Sequence, residues 1–165
     1  MPQHDPTEIM IRHNDWATTQ LLDACNNLSD DQLDHPFDMG VGTLRKTITH
    51  TLGAQRGWGD LLAGRPQRER LEAQGPHSIA QLRDLHHDIS TDFAASVRAH
   101  PANDIARGER NARTYAFTRG QVATHVYTHA MHHRAQCLNM LHHLGIDPLP
   151  PSAVVEWCFM EDPVE

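Results

Sequence analysis

The chain has 165 residues, enough for a hydrophobic core, and we expect a single domain over residues 1–165. Acidic residues number 21 against 14 Lys and Arg, and the net charge of −7 argues against a nucleic-acid partner. No apolar run is long enough for a membrane span. Three widely spaced cysteines (Cys25, Cys137 and Cys158) and the lack of a signal-peptide pattern at the N-terminus predict a cytoplasmic location.

Capping signals predict four long helices. The first begins at Asp5-Pro6-Thr7-Glu8 and runs to about Leu28, and a short turn follows at 29–32. The second spans 43–63, where Gly64 ends it, and the third begins at Ser78 and ends near His100. The fourth begins at Thr118-Arg119-Gly120-Gln121 and ends at Gly145.

The segments between these helices carry turn and loop residues. We interpret residues 64–77 as a connection and 101–117 as irregular, with an extended stretch at Thr114–Phe117. The tail contains three prolines, at 148, 150 and 151, and an apolar patch over 154–160. Because no strand is otherwise evident, the predicted fold is an all-α four-helix bundle with irregular connections and a Pro-rich tail.

Three histidines on the fourth helix follow one another at intervals of four: His125, His129 and His133. Residues four apart lie above one another on a helix, so two such imidazoles can bind one metal ion. With 14 His in the chain, this spacing proves little without the direction of each side chain.

Helical angles separate these histidines. The apolar arc of the helix consists of Val122, Val126, Cys137, Met140 and Leu144. At about 100° per residue, His129 and His133 fall inside this arc, and His125 and Gln136 fall at its edge. Two adjacent core imidazoles each need a partner for a donor and an acceptor, and a shared metal ion satisfies one nitrogen of each. We therefore favour a metal-binding pair over two hydrogen-bonded core histidines.

A third ligand has to come from another helix. His13, His50 and His86 each lie in or beside the apolar stripe of the first, second and third helix. Periodicity gives the angle of a residue around its helix but not its height along the bundle. All three histidines therefore remain candidates for the third ligand.

The segment His125–Gln136 resembles the helix-four signature of the DinB-like family of bacterial four-helix metalloproteins. Gly42–His50 is similar to the second-helix motif of that family, and His13–Ala17 resembles its first-helix motif. The resemblance covers nearly the whole chain. It implies an up-down-down-up bundle, a homodimer, and a cavity around a metal ion held by His50, His129 and His133.

The same resemblance implies a range of activities. Characterised relatives include transferases and isomerases that use a low-molecular-weight thiol, and many members carry only a hydrolase label. The chain departs from the family pattern at His13, where an aromatic residue is usual, and at Ala135, where Gly is usual. It also has Ser152-Ala153 where many relatives have Thr-Asp.

Three neutral imidazoles leave the full charge on a divalent ion. A water or a thiol bound in an open position would then ionise near neutral pH. Zinc, nickel and iron all suit such ligands. No Glu follows His129, so the metalloprotease motif is missing, and no Glu is followed by His three residues later, as a di-iron carboxylate bundle requires.

Several neighbouring side chains are candidates to line the pocket or to orient a ligand: His125, Asn14, Trp16, Arg134 and Gln136. Core packing is the alternative for Trp16, and local packing at the helix edge is the alternative for His125. Cys137, one turn beyond His133, is either a fourth ligand or a core thiol. Trp157 and Phe159 either close the end of the bundle or pack there.

These residues predict an enzyme in which a metal-activated water or thiol attacks a small electrophilic substrate. No residue is assigned as catalytic. One alternative is a helical module with a structural or sensory metal ion, and another is a metal-free interaction module. The sequence identifies neither the substrate nor the thiol.

Overall fold

The structure is a computed structural model that describes residues 4–110 and 113–163, and most of these residues are helical. The described residues form six α-helices: α1 (Pro6–Ala24), α2 (Asp30–Leu33), α3 (Leu44–Leu62), α4 (Ile79–Arg98), α5 (Arg119–His143) and α6 (Val154–Glu161). A 3-10 turn spans Leu71–Gln74, and two strands, β1 (Ile105–Arg110) and β2 (Arg113–Thr118), lie between α4 and α5. The four long helices therefore form where the capping signals predict them.

The predicted caps start these long helices. The Asp5 carboxylate accepts a hydrogen bond from the Thr7 amide at 2.9 Å, and the Thr43 hydroxyl accepts one from the Lys46 amide at 3.2 Å. Ser78 and Thr118 form capping boxes with the glutamines three residues later. These bonds satisfy amides that have no partner within the first helical turn.

Helix α1 ends at Ala24, earlier than the predicted end at Leu28. The amides of Cys25 and Asn26 bond to carbonyls three residues back, which tightens the chain into a turn. Ser29 then caps α2 with a complete capping box.

The long helices pack as a bundle in which α1 and α3 each contact both α4 and α5. Glu8 near the start of α1 pairs with Arg98 at the end of α4, so these two helices run in opposite directions. Arg119 at the start of α5 donates to the carbonyl of Leu62 at the end of α3, at 2.7 Å, so α3 and α5 are also antiparallel. This second arrangement positions the first half of α3 beside the middle of α5.

The prediction of an all-α chain needs one correction. Strands β1 and β2 pair in antiparallel register, with Ile105 opposite Thr118 and Gly108 opposite Tyr115. The predicted extended stretch at 114–117 lies within β2. Strand β1 is missed because Arg, Gly and Glu interrupt the apolar alternation that marks a strand.

The tail contains a helix that the sequence analysis does not predict. The Glu156 carboxylate accepts hydrogen bonds from the amides of Ser152 and Ala153, at 2.8 and 2.7 Å, and so starts α6 directly after the prolines. Trp157 is 2% exposed and packs in one cluster with Trp16, whereas Phe159 is 81% exposed. Trp157 therefore packs against α1, and Phe159 remains exposed. Within the described part of the chain, none of the helices combines the length and the apolar character that a membrane crossing needs.

Candidate metal centre

Three histidines from two helices converge in the groove between α3 and α5. His50, His129 and His133 each offer a ligand nitrogen, and these nitrogens all lie within 4.8 Å of one another. The ring centroids of His50 are 5.2 Å from His129 and 5.0 Å from His133, and the rings of His129 and His133 are 4.4 Å apart. Such a group could hold a metal ion. We call these residues the three-His group.

The three-His group is half-buried, not buried in the core. The helical angles predict that His129 and His133 fall inside the apolar arc of α5, and here the structure corrects that prediction. Both side chains are half-buried and lie beside His50 of α3. His125 is exposed, as expected for a residue at the edge of the arc. Half-burial leaves the group accessible to a small molecule.

A carboxylate holds the His50 ring. Nδ1 of His50 lies 3.1 Å from Oε1 of Glu72, which belongs to the 3-10 turn after α3. Leu71 is fully buried and anchors this turn. A carboxylate accepts only, so Nδ1 carries the proton and the lone pair of Nε2 is left to bind a metal ion.

The backbone of α3 makes room for this carboxylate at Gly53. A Cβ atom added to Gly53 would lie 3.1 Å from Oε2 of Glu72, closer than ordinary van der Waals contact. The absence of a side chain at Gly53 therefore lets Glu72 approach the helix beside His50.

An amide plays the same part for His133. Nδ1 of His133 lies 2.8 Å from Oε1 of Gln136, one turn along α5. The Gln136 amide nitrogen in turn lies 3.1 Å from Nε2 of His132, to which it donates. Gln136 is thus a predicted orienting residue that is hydrogen-bonded to a member of the three-His group. Its oxygen leaves Nε2 of His133 as the free nitrogen.

Burial keeps two of these imidazoles neutral. The pKa of His129 is lowered to about 4, chiefly by burial and then by the neighbouring histidines His133 and His50. Burial also lowers the pKa of His133, against the opposing effect of its bond to Gln136. At neutral pH both rings are in the uncharged form that a metal ion requires.

The two alternative candidates for the third ligand, His13 and His86, have other hydrogen-bond partners. His13 is 1% exposed, and its Nε2 donates to the carbonyl of Ser152 at 2.9 Å. Nε2 of His86 lies 3.1 Å from the carbonyl of Asp15, and its Nδ1 lies 3.0 Å from the Ser90 hydroxyl. Both are core histidines that the helical angles alone could not separate from His50.

Three of the predicted pocket residues are buried: Asn14 and Arg134 between α1 and α5, and Trp16 between α1 and α6. Asn14 and Arg134 are 2% and 3% exposed, and the guanidinium of Arg134 donates to Asn14 Oδ1 at 3.3 Å. Trp16 packs beside His13 and Trp157, with ring centroids 6.1 Å from His13. Asn14 and Trp16 therefore do not lie at a pocket mouth, and Arg134 points away from the α3–α5 groove.

The remaining candidate ligand is Cys137. Its side chain is 1% exposed and packs with Cys25 in the core, where burial raises the pKa of the thiol. Cys137 is not in the three-His group, so the structure favours the core-thiol interpretation.

Sequence reasoning misses Glu72. It lies 22 residues after His50 in a polar connection with no motif around it. The one usable signal is Leu71, a single large apolar residue in that connection, which indicates a packed turn next to a helix.

Comparison with known families gives one finding. The model of the DinB family matches residues 1–156, which include every long helix, the strand pair and the three-His group. No curated protein matches the chain.

Proposed function

The chain belongs to the DinB family, and on that premise we propose that it binds one divalent transition metal ion through His50, His129 and His133. We propose further that it is an enzyme acting on a small electrophilic substrate. The observation that supports this most directly is the convergence of three ligand nitrogens within 4.8 Å. Two of the three rings also have an oxygen acceptor at Nδ1, which leaves Nε2 of each ring free to bind the ion.

The donor set suits zinc, nickel or iron. When bound by three neutral imidazoles with one open position, such an ion lowers the pKa of a water or a low-molecular-weight thiol so that it becomes a nucleophile near neutral pH. The three protein ligands and the half-buried groove fit an open site better than a closed structural one.

The other side chains have supporting roles in this proposal. Glu72 and Gln136 hold two of the ligand rings in a single tautomer. His125 is exposed, and its ring lies 5.6 Å from that of His129. We propose that His125 borders the metal centre on this side.

Metal analysis tests the proposal. The purified chain is expected to contain about one divalent ion per molecule, and a chelator is expected to lower its melting temperature. His129→Ala should lose the ion, whereas His142→Ala, at an exposed histidine near the end of the same helix, should keep it. If the wild-type chain takes up neither zinc, nickel nor iron, the proposal is wrong.

Turnover separates the enzyme from a structural or sensory metal protein. We expect a panel of low-molecular-weight thiols and electrophiles to give metal-dependent product formation. His50→Ala should leave a folded, inactive protein. If that variant unfolds and no thiol or water reaction is found in the wild type, the metal ion has a structural role.

A further inference from the structure

A row of aromatic rings leads away from the three-His group along the α3–α5 groove. The ring of His125 lies 5.6 Å from His129 and 5.2 Å from Trp58 of α3. Trp58 lies 6.1 Å from Phe117 and 6.4 Å from Tyr115, both on β2. We call His125, Trp58, Tyr115 and Phe117 the aromatic row. It joins the candidate metal centre to the strand pair.

The rings of the aromatic row are more exposed to solvent than the aromatic residues of the core. Phe117 is 39% exposed, His125 is exposed, and Trp58 is half-buried. The pair Phe93 and Tyr127, with ring centroids 5.9 Å apart, is 2% and 4% exposed. Trp58 and Tyr115 pack in part against the core cluster that contains Phe93 and Tyr127. The solvent-exposed parts of Trp58, Phe117 and His125 are available to a ligand.

A glycine lies beside the row on each neighbouring element, Gly57 on α3 and Gly108 on β1. Gly57 precedes Trp58 and lies about 20° from His50 around α3, at about 100° per residue. A Cβ atom at Gly57 would meet no atom of the described residues within 4 Å. On β1, a Cβ atom at Gly108 would lie 2.6 Å from the Tyr115 ring, so that ring lies directly over the strand. Open space thus lies beside Gly57, next to Trp58.

We propose that the aromatic row binds the planar ring of an aromatic substrate and so places its reacting group at the three-His group. This inference rests on the proposed function and names the substrate class for the same site. The rings of the row meet at 68° to 73° around Trp58, in edge-to-face contacts. Such contacts leave ring faces and edges free, and a further planar ring can add in the offset or edge-to-face geometry that aromatic pairs prefer.

Binding of a neutral probe tests the row without the metal ion. The full chain, treated with a chelator, is titrated with 2-naphthol and with decahydro-2-naphthol, which has the same skeleton and hydroxyl but no planar ring. We expect 2-naphthol to bind about tenfold more tightly, and to shift the indole resonances of Trp58. Equal affinities, or binding that leaves Trp58 unperturbed, would overturn the inference.

Matched variants locate the site. Trp58→Leu keeps an apolar side chain and should weaken 2-naphthol binding about tenfold, and Trp58→Phe should restore part of it. Phe159→Leu, which removes an 81% exposed ring on α6, should leave it unchanged. Melting curves of each variant establish that it is folded. If folded Trp58→Leu binds as the wild type does, the row is not the site.

A charged probe tests the link to the metal centre. In the presence of zinc, 2-naphthoate should bind the wild type more tightly than in its absence, because its carboxylate reaches the three-His group while its ring occupies the row. If zinc binds but does not increase the affinity for 2-naphthoate, the proposed placement of the substrate is wrong. If zinc itself does not bind, the proposed function fails, and the 2-naphthol titrations still decide whether the row takes an aromatic ring.

Discussion

Glu72 accepts a hydrogen bond from Nδ1 of His50 at 3.1 Å, across 22 residues of chain. This bond selects the imidazole tautomer that leaves Nε2 free to bind a metal ion. The 3-10 turn that carries Glu72 is held by the buried Leu71. A turn outside the four long helices therefore completes the candidate metal centre.

Removal of this carboxylate should weaken metal binding without unfolding the protein. Glu72→Ala is expected to lower zinc affinity about 10- to 100-fold, and Glu72→Gln less, because the amide oxygen can still accept from Nδ1. Competition with a chromogenic chelator measures the affinity. The control is Glu69→Ala, which removes an exposed carboxylate from the same connection. Unchanged affinity in Glu72→Ala would contradict an orienting role for Glu72.

Two glycines of α3 form a matched pair. A Cβ atom at Gly53 would press on the Glu72 carboxylate at 3.1 Å, whereas one at Gly57 would meet no described atom within 4 Å. Gly53→Ala should therefore reduce zinc affinity, by less than Glu72→Ala does. Gly57→Ala should keep the affinity and stabilise the fold by about 0.5–1 kcal/mol, as expected for Ala in a helix interior. Chelator competition and urea unfolding measure the two effects. Equal metal affinities in the two variants would show that Glu72 does not need the space at Gly53.

Arg134 should contribute to stability and not to metal binding. Its guanidinium is 3% exposed and donates to Asn14, Thr18 and Ser152, which are all neutral acceptors. Burial lowers its pKa to about 10, so it stays charged at neutral pH.

Arg134→Lys keeps the charge but cannot reach all three acceptors, and it should cost about 2 kcal/mol of unfolding free energy in urea. Arg107→Lys, at an exposed position on β1, is the control. A loss of zinc affinity larger than the loss of stability would place Arg134 in the metal centre after all.

Acid stability should depend on Asp60. Its side chain is 1% exposed and accepts hydrogen bonds from Arg65 at 2.6 Å and from Arg68 at 3.0 Å. Burial alone raises the pKa of this carboxyl, but the bonds from Arg68 and Arg65 outweigh it and lower the pKa below its ordinary value of 3.8. The contribution of the charged form is therefore complete above about pH 4 and is lost as the pH falls through the lower, folded-state pKa.

Asp60→Asn tests this dependence. The variant should be less stable than the wild type by about 1–3 kcal/mol at neutral pH, because it loses the hydrogen bonds of Arg65 and Arg68 to a charged acceptor. The difference between the two proteins should shrink as the pH falls below about 4. Urea unfolding across the pH range measures it, with Asp84→Asn, an exposed residue on α4, as the control. A difference that stays constant down to pH 2 would contradict the assignment.

The sequence by itself determines the helices and two members of the three-His group. Caps such as Asp5 and Thr118 act through bonds to amides two or three residues away, so they are visible in the order of residues. The spacing of His129 and His133 likewise follows from the turn of one helix. Strand β1 and α6 escape this kind of analysis because a neighbouring strand and the packing of Trp157 stabilise them.

Periodicity does not decide which histidine completes the group; the family resemblance implies His50, and the tertiary structure places His50 beside the other two. Helical angles leave His13, His50 and His86 equivalent, since an angle does not specify how far along a neighbouring helix a residue lies. The antiparallel packing of α3 on α5 brings His50 level with His129 and His133. It also brings in Glu72, and it directs Arg134 toward α1. These contacts join residues far apart in sequence, and their geometry follows from how the helices pack, which no local pattern encodes.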